Sequence, residues 1–221
     1  MKIENITKAD VFDRLATVVK AVGNGRRLEL LELLAQGERS VEDLARTSAM
    51  ALTTTSAHLQ RLKAAGLVRT RRQRTTIYYR LAGDDVAALF VAAERVGLAR
   101  SPELSQALRL YLTVDDGTSV AATTTATSIA PGATVIDVRP AQEFAGGHLP
   151  GALSIPLADL DGRTGEIPAG RPVVVYCRGA LCRLARQAAH QLCEQGFDAS
   201  VMDEGVLEWR TRRDVVLDGV A

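Results

Sequence analysis

The sequence predicts two domains of different class, a helix-rich α+β domain that includes a β-hairpin and, after it, an α/β domain with a central parallel sheet. Three observations predict this. Apolar residues recur at helical spacing through most of residues 8–112, interrupted by one pair of β-rich runs. Beyond residue 132, short β-rich runs alternate with helical ones. The charge also divides: up to Leu112 there are 18 Lys and Arg against 12 Asp and Glu (+6), and after it 9 against 14 (−5), so the net charge of +1 is a cancellation. A chain of 221 residues has room for two cores of about 100 residues each.

Residues 8–20 and 25–35 are expected to form two short amphipathic helices, the second with a Leu28, Leu31 and Leu34 stripe and a stop at Gly37. Ser40 is placed to cap a third helix, VEDLARTSA, and a fourth runs from Leu52 to Ala65 with Gly66 as its stop signal. Two short helices with a tight joint make a helix-turn-helix candidate. LVRT and TTIYYRL then read as two strands around a basic tip, RRQR, which forms a wing. Helical spacing returns over residues 84–112, through Val86, Leu89, Phe90, Ala93, Val96 and Leu98, then Leu104, Leu108 and Leu112, with a break or restart at Pro102. This apolar content exceeds what a small domain covers and predicts a dimer interface. Residues 113–132, rich in Thr, Ser and small residues, are expected to link residues 1–112 to residues 133–221. In the second domain TVIDVR, ALSIPL, PVVVYC and ASVMDEG read as strands, with a helix from Arg183 to Gln195.

On the fourth helix Leu52, Thr55, Leu59 and Leu62 form the expected inward stripe, leaving Thr53, Thr54, Ala57, Gln60 and Arg61 on the opposite face. Hydroxyls and amides near a helix N-terminus suit phosphate oxygens and base edges, although Thr53 to Ser56 alone also read as an ordinary surface helix start. The basic run is more telling. Arg61, Lys63, Arg69, Arg71, Arg72, Arg74 and Arg80 occur with no acidic residue among them, which repels itself unless a polyanion binds.

GNGRRLELLELLAQGERSVEDLA, TTTSAHLQRLKAAGLVRTRR and TIYYRL, across roughly residues 8–110, resemble the ArsR-type winged helix-turn-helix repressors. The resemblance implies a homodimer built through the first and last helices, with one helix from each subunit in adjacent major grooves of a double-stranded DNA operator. The candidate DNA-binding residues are Thr53, Thr54, Ser56, His58, Gln60, Arg61, Arg71, Arg72 and Arg74; His58 reads equally as a histidine packed between helices. Many members of that family sense metals through cysteines on the helix that here reads VEDLARTSA, or through His and acidic residues on the last helix. Here the former has no cysteine and the latter no histidine, so neither a metal site nor a cofactor is expected.

All three cysteines, Cys177, Cys182 and Cys193, lie in the second half, an odd number that makes a poor disulfide framework and suggests a reducing compartment. MKIENITKAD lacks the apolar core of a secretory signal, and no apolar run approaches the roughly 18–20 residues that span a bilayer, so a soluble cytoplasmic protein with no membrane partner is expected. Cys177 follows PVVVY and precedes a helical run, which places it at a strand-to-helix turn. Turn amides with Arg178 and Arg183 are expected to lower its pKa; a buried inert cysteine is the alternative.

VIDVRPAQEFAGGHLPGALSIPL and the loop YCRGALC, within residues 134–213, resemble the rhodanese fold. The resemblance implies a rhodanese-like domain in which Cys177 takes sulfur from a donor such as thiosulfate or a persulfide. The amides of Arg178, Gly179, Ala180, Leu181, Cys182 and Arg183 then cradle the anionic sulfur, while Asp137, Arg139, Glu143 and His148 fix the neighbouring strand and loops. Two departures stand out: Glu204-Gly205 replaces a Gly-Gly pair, and Arg183 stands where Ser or Thr is common. The second creates Cys-x5-Arg, the oxyanion-holding spacing of related phosphatases and some arsenate reductases, though Tyr176 precedes the cysteine where those enzymes usually have His. Cys182 is read either as a thiol that closes a disulfide with Cys177 or as a small hydrophobe beneath the loop; Cys193 is expected in the core. These readings converge on a sulfur- or thiol-responsive repressor, with an active sulfurtransferase, a Cys-x5-Arg enzyme and an inert interface domain as alternatives.

Overall fold

The computed structural model describes residues 6–113 and 123–219. The chain divides into two compact units, residues 1–34 with 38–86, and residues 35–37 with 87–221.

In the first unit, α1 (Lys8–Val22) opens with a reciprocal cap. The Thr7 hydroxyl accepts from the Asp10 amide (3.2 Å) and the Asp10 carboxylate accepts from the Thr7 amide (2.8 Å). α2 (Gly25–Ala35) follows, and its buried Arg27 donates to the carbonyls of Lys20 (2.9 Å) and Ala21 at the end of α1. Next come β1 (Arg39–Ser40), α3 (Val41–Thr47), α4 (Leu52–Ala64), β2 (Val68–Gln73) and β3 (Thr76–Leu81). Ser40 caps α3 as expected, its hydroxyl accepting from the Asp43 amide at 3.2 Å. The three strands form an antiparallel sheet in the order β1-β3-β2. Leu30, Leu31, Leu33, Leu34, Leu44, Leu59, Leu62 and Leu81 are buried, so α2 is covered over a wider arc than the expected stripe. The hairpin is also longer than expected. Arg71–Gln73, read as part of the tip, continue β2, and the reversal occurs at Arg74 (φ +56°) and Thr75.

α5 (Asp84–Arg100) begins in the first unit and continues in the second. α6 (Pro102–Leu112) restarts the helix at Pro102, as the sequence suggests, with the Ser101 hydroxyl accepting from the Leu104 amide at 3.2 Å. Val11, Phe12, Leu15 and Val19 on α1, Val96 on α5, and Leu104, Leu110 and Tyr111 on α6 are exposed.

The remainder of the second unit is a five-stranded parallel sheet. β4 (Thr123–Thr124), β5 (Thr134–Asp137), β6 (Leu153–Ser154), β7 (Val173–Tyr176) and β8 (Ala199–Met202) stand in the order β4-β8-β7-β5-β6. α7 (Ala141–Ala145), α8 (Leu160–Arg163), α9 (Leu184–Glu194) and α10 (Val206–Trp209) complete it. Of the expected connector 113–132, residues 114–122 lie outside the described residues, and Thr123–Thr124 form β4. β7 explains why PVVVY is apolar without alternation. Val173 and Val175 pack with Ile136 and the α9 residues Ala188, Ala189 and Leu192, whereas Val174 and Tyr176 face Met202, Val206 and Trp209. A strand buried on both faces needs apolar residues on both. Among the described residues no helix is long and apolar enough to cross a membrane.

Candidate functional site

Cys177 follows β7 directly and is itself buried, and the loop of residues 178–183 leads from it into α9. The loop is fixed from within and from outside. The Cys182 amide donates to the Gly179 carbonyl (3.0 Å), and the Leu207 amide to the Arg178 carbonyl (2.9 Å). The Glu208 carboxylate accepts from the amides of Ala180 (3.2 Å) and Gly205 (2.7 Å). A Cβ on Gly205 would lie 2.4 Å from the Cys177 carbonyl oxygen and 2.5 Å from the Gly179 nitrogen. Gly205 is therefore the glycine of the Glu204-Gly205 pair that close approach demands. Glu204 has a different task, accepting from Trp209 Nε1 (3.1 Å) and from Arg212 Nη1 (2.7 Å).

The two loop cysteines are not equivalent. Cys177 is only 4 % exposed, and its Sγ donates to the Cys182 carbonyl at 3.3 Å. Burial pushes its thiol well up, as does its interaction with the Cys182 thiol; the amides of Gly179 and Ala185 oppose this less strongly. Cys182, half-buried, is brought down to about 7, first by the hydrogen bond from the Cys177 thiol and then, against burial, by the Arg178 charge and the amides of Arg178 and Leu184. These directions run against the expected lowering at Cys177: desolvation at the strand end outweighs the turn amides. Composition and spacing carried the pair but not its polarity, because burial is a tertiary property.

The arginines of the loop are also committed. Arg178 grips the fully buried Glu143 carboxylate through Nε and Nη2 at 2.7–3.1 Å. The Arg183 guanidinium lies over the Tyr111 ring, 5.7 Å from its centroid, and the Ala180 amide is directed at Glu208. A Cys-x5-Arg oxyanion site needs both the arginine and the loop amides turned inward, so this geometry argues against that reading. The surrounding residues brace the loop. Arg139 and Asp137, both fully buried, pair through Nη2 and Oδ2 at 2.5 Å, and Arg139 also donates to the Gly147 carbonyl at 2.7 Å. His148 stacks on Phe144 with ring centroids 3.6 Å apart. Ala180 and Leu181 are half-buried. Cys193, expected in the core, is exposed: the buried face of α9 is Ala185, Ala188, Ala189 and Leu192, and Cys193 lies one residue round from it.

On the first unit, Thr55, Leu59 and Leu62 form the buried face of α4, while Thr53, Thr54, Ala57, Gln60 and Arg61 are exposed and Ser56 and His58 half-buried. Leu52 does not join the inward stripe; it is the first residue of α4 and is 49 % exposed. Gln60 donates to the Tyr79 hydroxyl (3.0 Å), tying helix to wing. His58 has a buried Nδ1 without a partner and a pKa lowered by burial and then by Arg27, Arg61 and Arg26, so it is held neutral. On the wing, Arg71 pairs with Glu38 (2.5 Å) and lies over the Tyr78 ring (4.9 Å), and Arg72 Nε donates to the Arg74 carbonyl (2.9 Å). Glu38 sits outside the basic run, which is why the sequence does not reveal the counter-charge. Arg61, Lys63, Arg69, Arg71, Arg72, Arg74 and Arg80 are all exposed.

Residues 24–70 match the bacterial regulatory protein arsR family, and residues 122–212 match the rhodanese-like domain. The chain is 43 % identical over 203 residues to the HTH-type transcriptional regulator Rv0324 of Mycobacterium tuberculosis, covering 92 % of this chain and 90 % of that protein. It is 34 % identical over 76 residues to the thiosulfate sulfurtransferase GlpE of Shewanella oneidensis, 34 % of this chain and 73 % of that enzyme. A solved structure, the homodimeric winged helix-turn-helix DNA-binding domain of Mb0332 from Mycobacterium bovis, is 50 % identical and covers 47 % of this chain and 95 % of that one, with a TM-score of 0.42.

Proposed function

Because the chain belongs to the ArsR-type helix-turn-helix transcriptional regulators and carries a rhodanese-like domain, we propose that it is a cytoplasmic, homodimeric repressor whose grip on operator DNA responds to reactive sulfur at Cys177. In this reading residues 1–112 bind DNA and dimerise, and residues 133–221 receive the signal. The exposed face of α4 and the wing arginines Arg72 and Arg74 meet the duplex. Arg71 joins them by exchanging Glu38 for a phosphate.

The observation that carries the sulfur response is the presence of two cysteines in one braced loop, a buried Cys177 whose thiol donates to the Cys182 carbonyl at 3.3 Å and a half-buried Cys182. As Cys177 Sγ attacks the outer sulfur of a persulfide donor R–S–SH, its proton passes to the Cys182 thiolate in the same step, so no free buried thiolate is required; the donor S–S bond breaks, R–S⁻ leaves, and Cys177–S–SH forms. After Cys182 loses its proton to water, its thiolate attacks the Cys177 Sγ, expelling HS⁻ and leaving a Cys177–Cys182 disulfide. The donor is the oxidant, and no other is required.

The test is operator binding by gel shift at fixed salt for wild type, Cys177→Ser and Cys182→Ser, before and after a polysulfide donor. Wild-type affinity is expected to change by about 5- to 150-fold, the usual range of coupling between sites, with Cys177→Ser unmoved. Equal affinity of treated and untreated wild type would overturn the proposal. The likeness to a thiosulfate sulfurtransferase favours one second reading, an enzyme with an attached DNA-binding domain. Steady turnover of thiosulfate with cyanide, indifferent to operator DNA and lost in Cys177→Ser, would favour it.

A further inference from the structure

We infer that Leu52 is a specificity determinant that reads a thymine methyl group in the operator. The inference rests on the assignment of α4 as the DNA-reading helix. Leu52 is the first residue of α4 and is 49 % exposed, although its heptad neighbour Leu59 and the nearby Leu62 are fully buried. It is not part of the first unit's core, and it is not on α1, the element of that unit that carries a run of uncovered apolar residues from Val11 to Val19.

Its surroundings specify the partner. Thr53 and Thr54, next to it, are exposed, and the first turn of α4 has no acidic residue. Along the same helix and the following hairpin, Arg61, Lys63, Arg69, Arg72 and Arg74 are exposed. An apolar side chain at the start of a helix whose last turn and following hairpin carry the cations matches a duplex, whose phosphates meet those cations while the helix start meets the base edges. In the major groove, the thymine C5-methyl is the apolar group that each base pair pattern either offers or lacks. Leu52 has a Cβ that tilts toward the helix N-terminus, the end that enters the groove in helix-turn-helix docking. It carries no hydrogen-bonding group, so it discriminates by methyl burial alone.

Removing one methyl from such a contact is expected to weaken binding about fourfold per half-site, and about sixteenfold when both half-sites of a symmetric operator are altered. The experiment uses the full-length protein. A preferred duplex is selected from a random pool, and each thymine is then replaced in turn by deoxyuracil, which lacks only the methyl. Wild type should lose affinity at one symmetry-related thymine pair, and Leu52→Ala should bind the thymine and uracil duplexes there equally. A Leu52→Ala protein that keeps the full thymine preference at every position overturns the inference, as does a wild type indifferent to every uracil substitution. In either case the sequence-selective binding itself, and with it the regulator reading, stands. Failure to select any duplex overturns both. Circular dichroism of Leu52→Ala, expected to match wild type because the side chain is half-exposed, separates lost reading from lost folding.

Discussion

Cys177 and Cys182 show how a sequence-level rule and a tertiary one compete at a single residue. A strand-to-helix turn with two arginines favours a thiolate at Cys177, but complete desolvation costs the anion more than the amides of Gly179 and Ala185 return. The Arg178 charge, although paired with Glu143, acts to lower the Cys182 thiol. Of the two, the more accessible Cys182 is therefore the thiol expected to ionise more readily. A pH series of iodoacetamide labelling followed by peptide mass mapping is expected to show Cys182 modified before Cys177. Its rate should rise as pH passes upward through about 7 and fall below it, because only the thiolate reacts. Faster labelling of Cys177 at every pH would contradict the assignment. The bracing under the loop is testable in the same way. Asp137 and Arg139 are both fully buried, so Asp137→Ala leaves an uncompensated guanidinium in the interior. Urea denaturation should register a loss of about 3–5 kcal/mol.

At the scale of elements, most of what the sequence displays is periodicity and punctuation, and these place helices and strands well. Thr7, Ser40 and Ser101 cap the helices they precede, and the alternation of strand and helix after residue 132 becomes a parallel sheet. What is not legible depends on who covers whom. Leu52 and Leu59 read as one stripe on a helical wheel, yet only Leu59 has neighbours above it. Arg71 reads as a free cation because its partner Glu38 lies 33 residues away along the chain. The candidate site was legible as a list of residue types and not as a set of pairings. The most incomplete element is α1, in which Val11, Phe12, Leu15 and Val19 are each 54–58 % exposed and no residue is buried. Such a face implies a missing partner, and the proposed homodimer supplies it. Leu15→Asp is expected to yield a monomer by sedimentation at concentrations where wild type is dimeric. Its operator affinity should fall by at least about tenfold, since one half-site must then be held without the other. A dimeric Leu15→Asp would remove α1 from the interface.

For the molecule as a whole, the division of charge makes a quantitative claim about where DNA is met. If the +6 of residues 1–112 reflects phosphate contact, the arginines of the wing must release counterions on binding and those of the second half must not. The dependence of log K on log salt has a slope of about −0.9 per phosphate neutralised on duplex DNA. Arg72 and Arg74 are exposed on the hairpin, and Arg171 and Arg213 are exposed in the acidic half. Arg72→Ala with Arg74→Ala should therefore flatten the slope by about 1.8, whereas Arg171→Ala with Arg213→Ala, an identical change in net charge, should leave it unaltered. Equal flattening by both pairs would mean that DNA responds to net charge at a distance and not to contacts on the wing. Titration against any duplex at several salt concentrations is sufficient, because phosphate contacts carry no sequence information. The slope thus locates the DNA-binding surface before an operator is known, and a polysulfide-treated sample run alongside shows whether sulfur chemistry changes the number of contacts or only their strength.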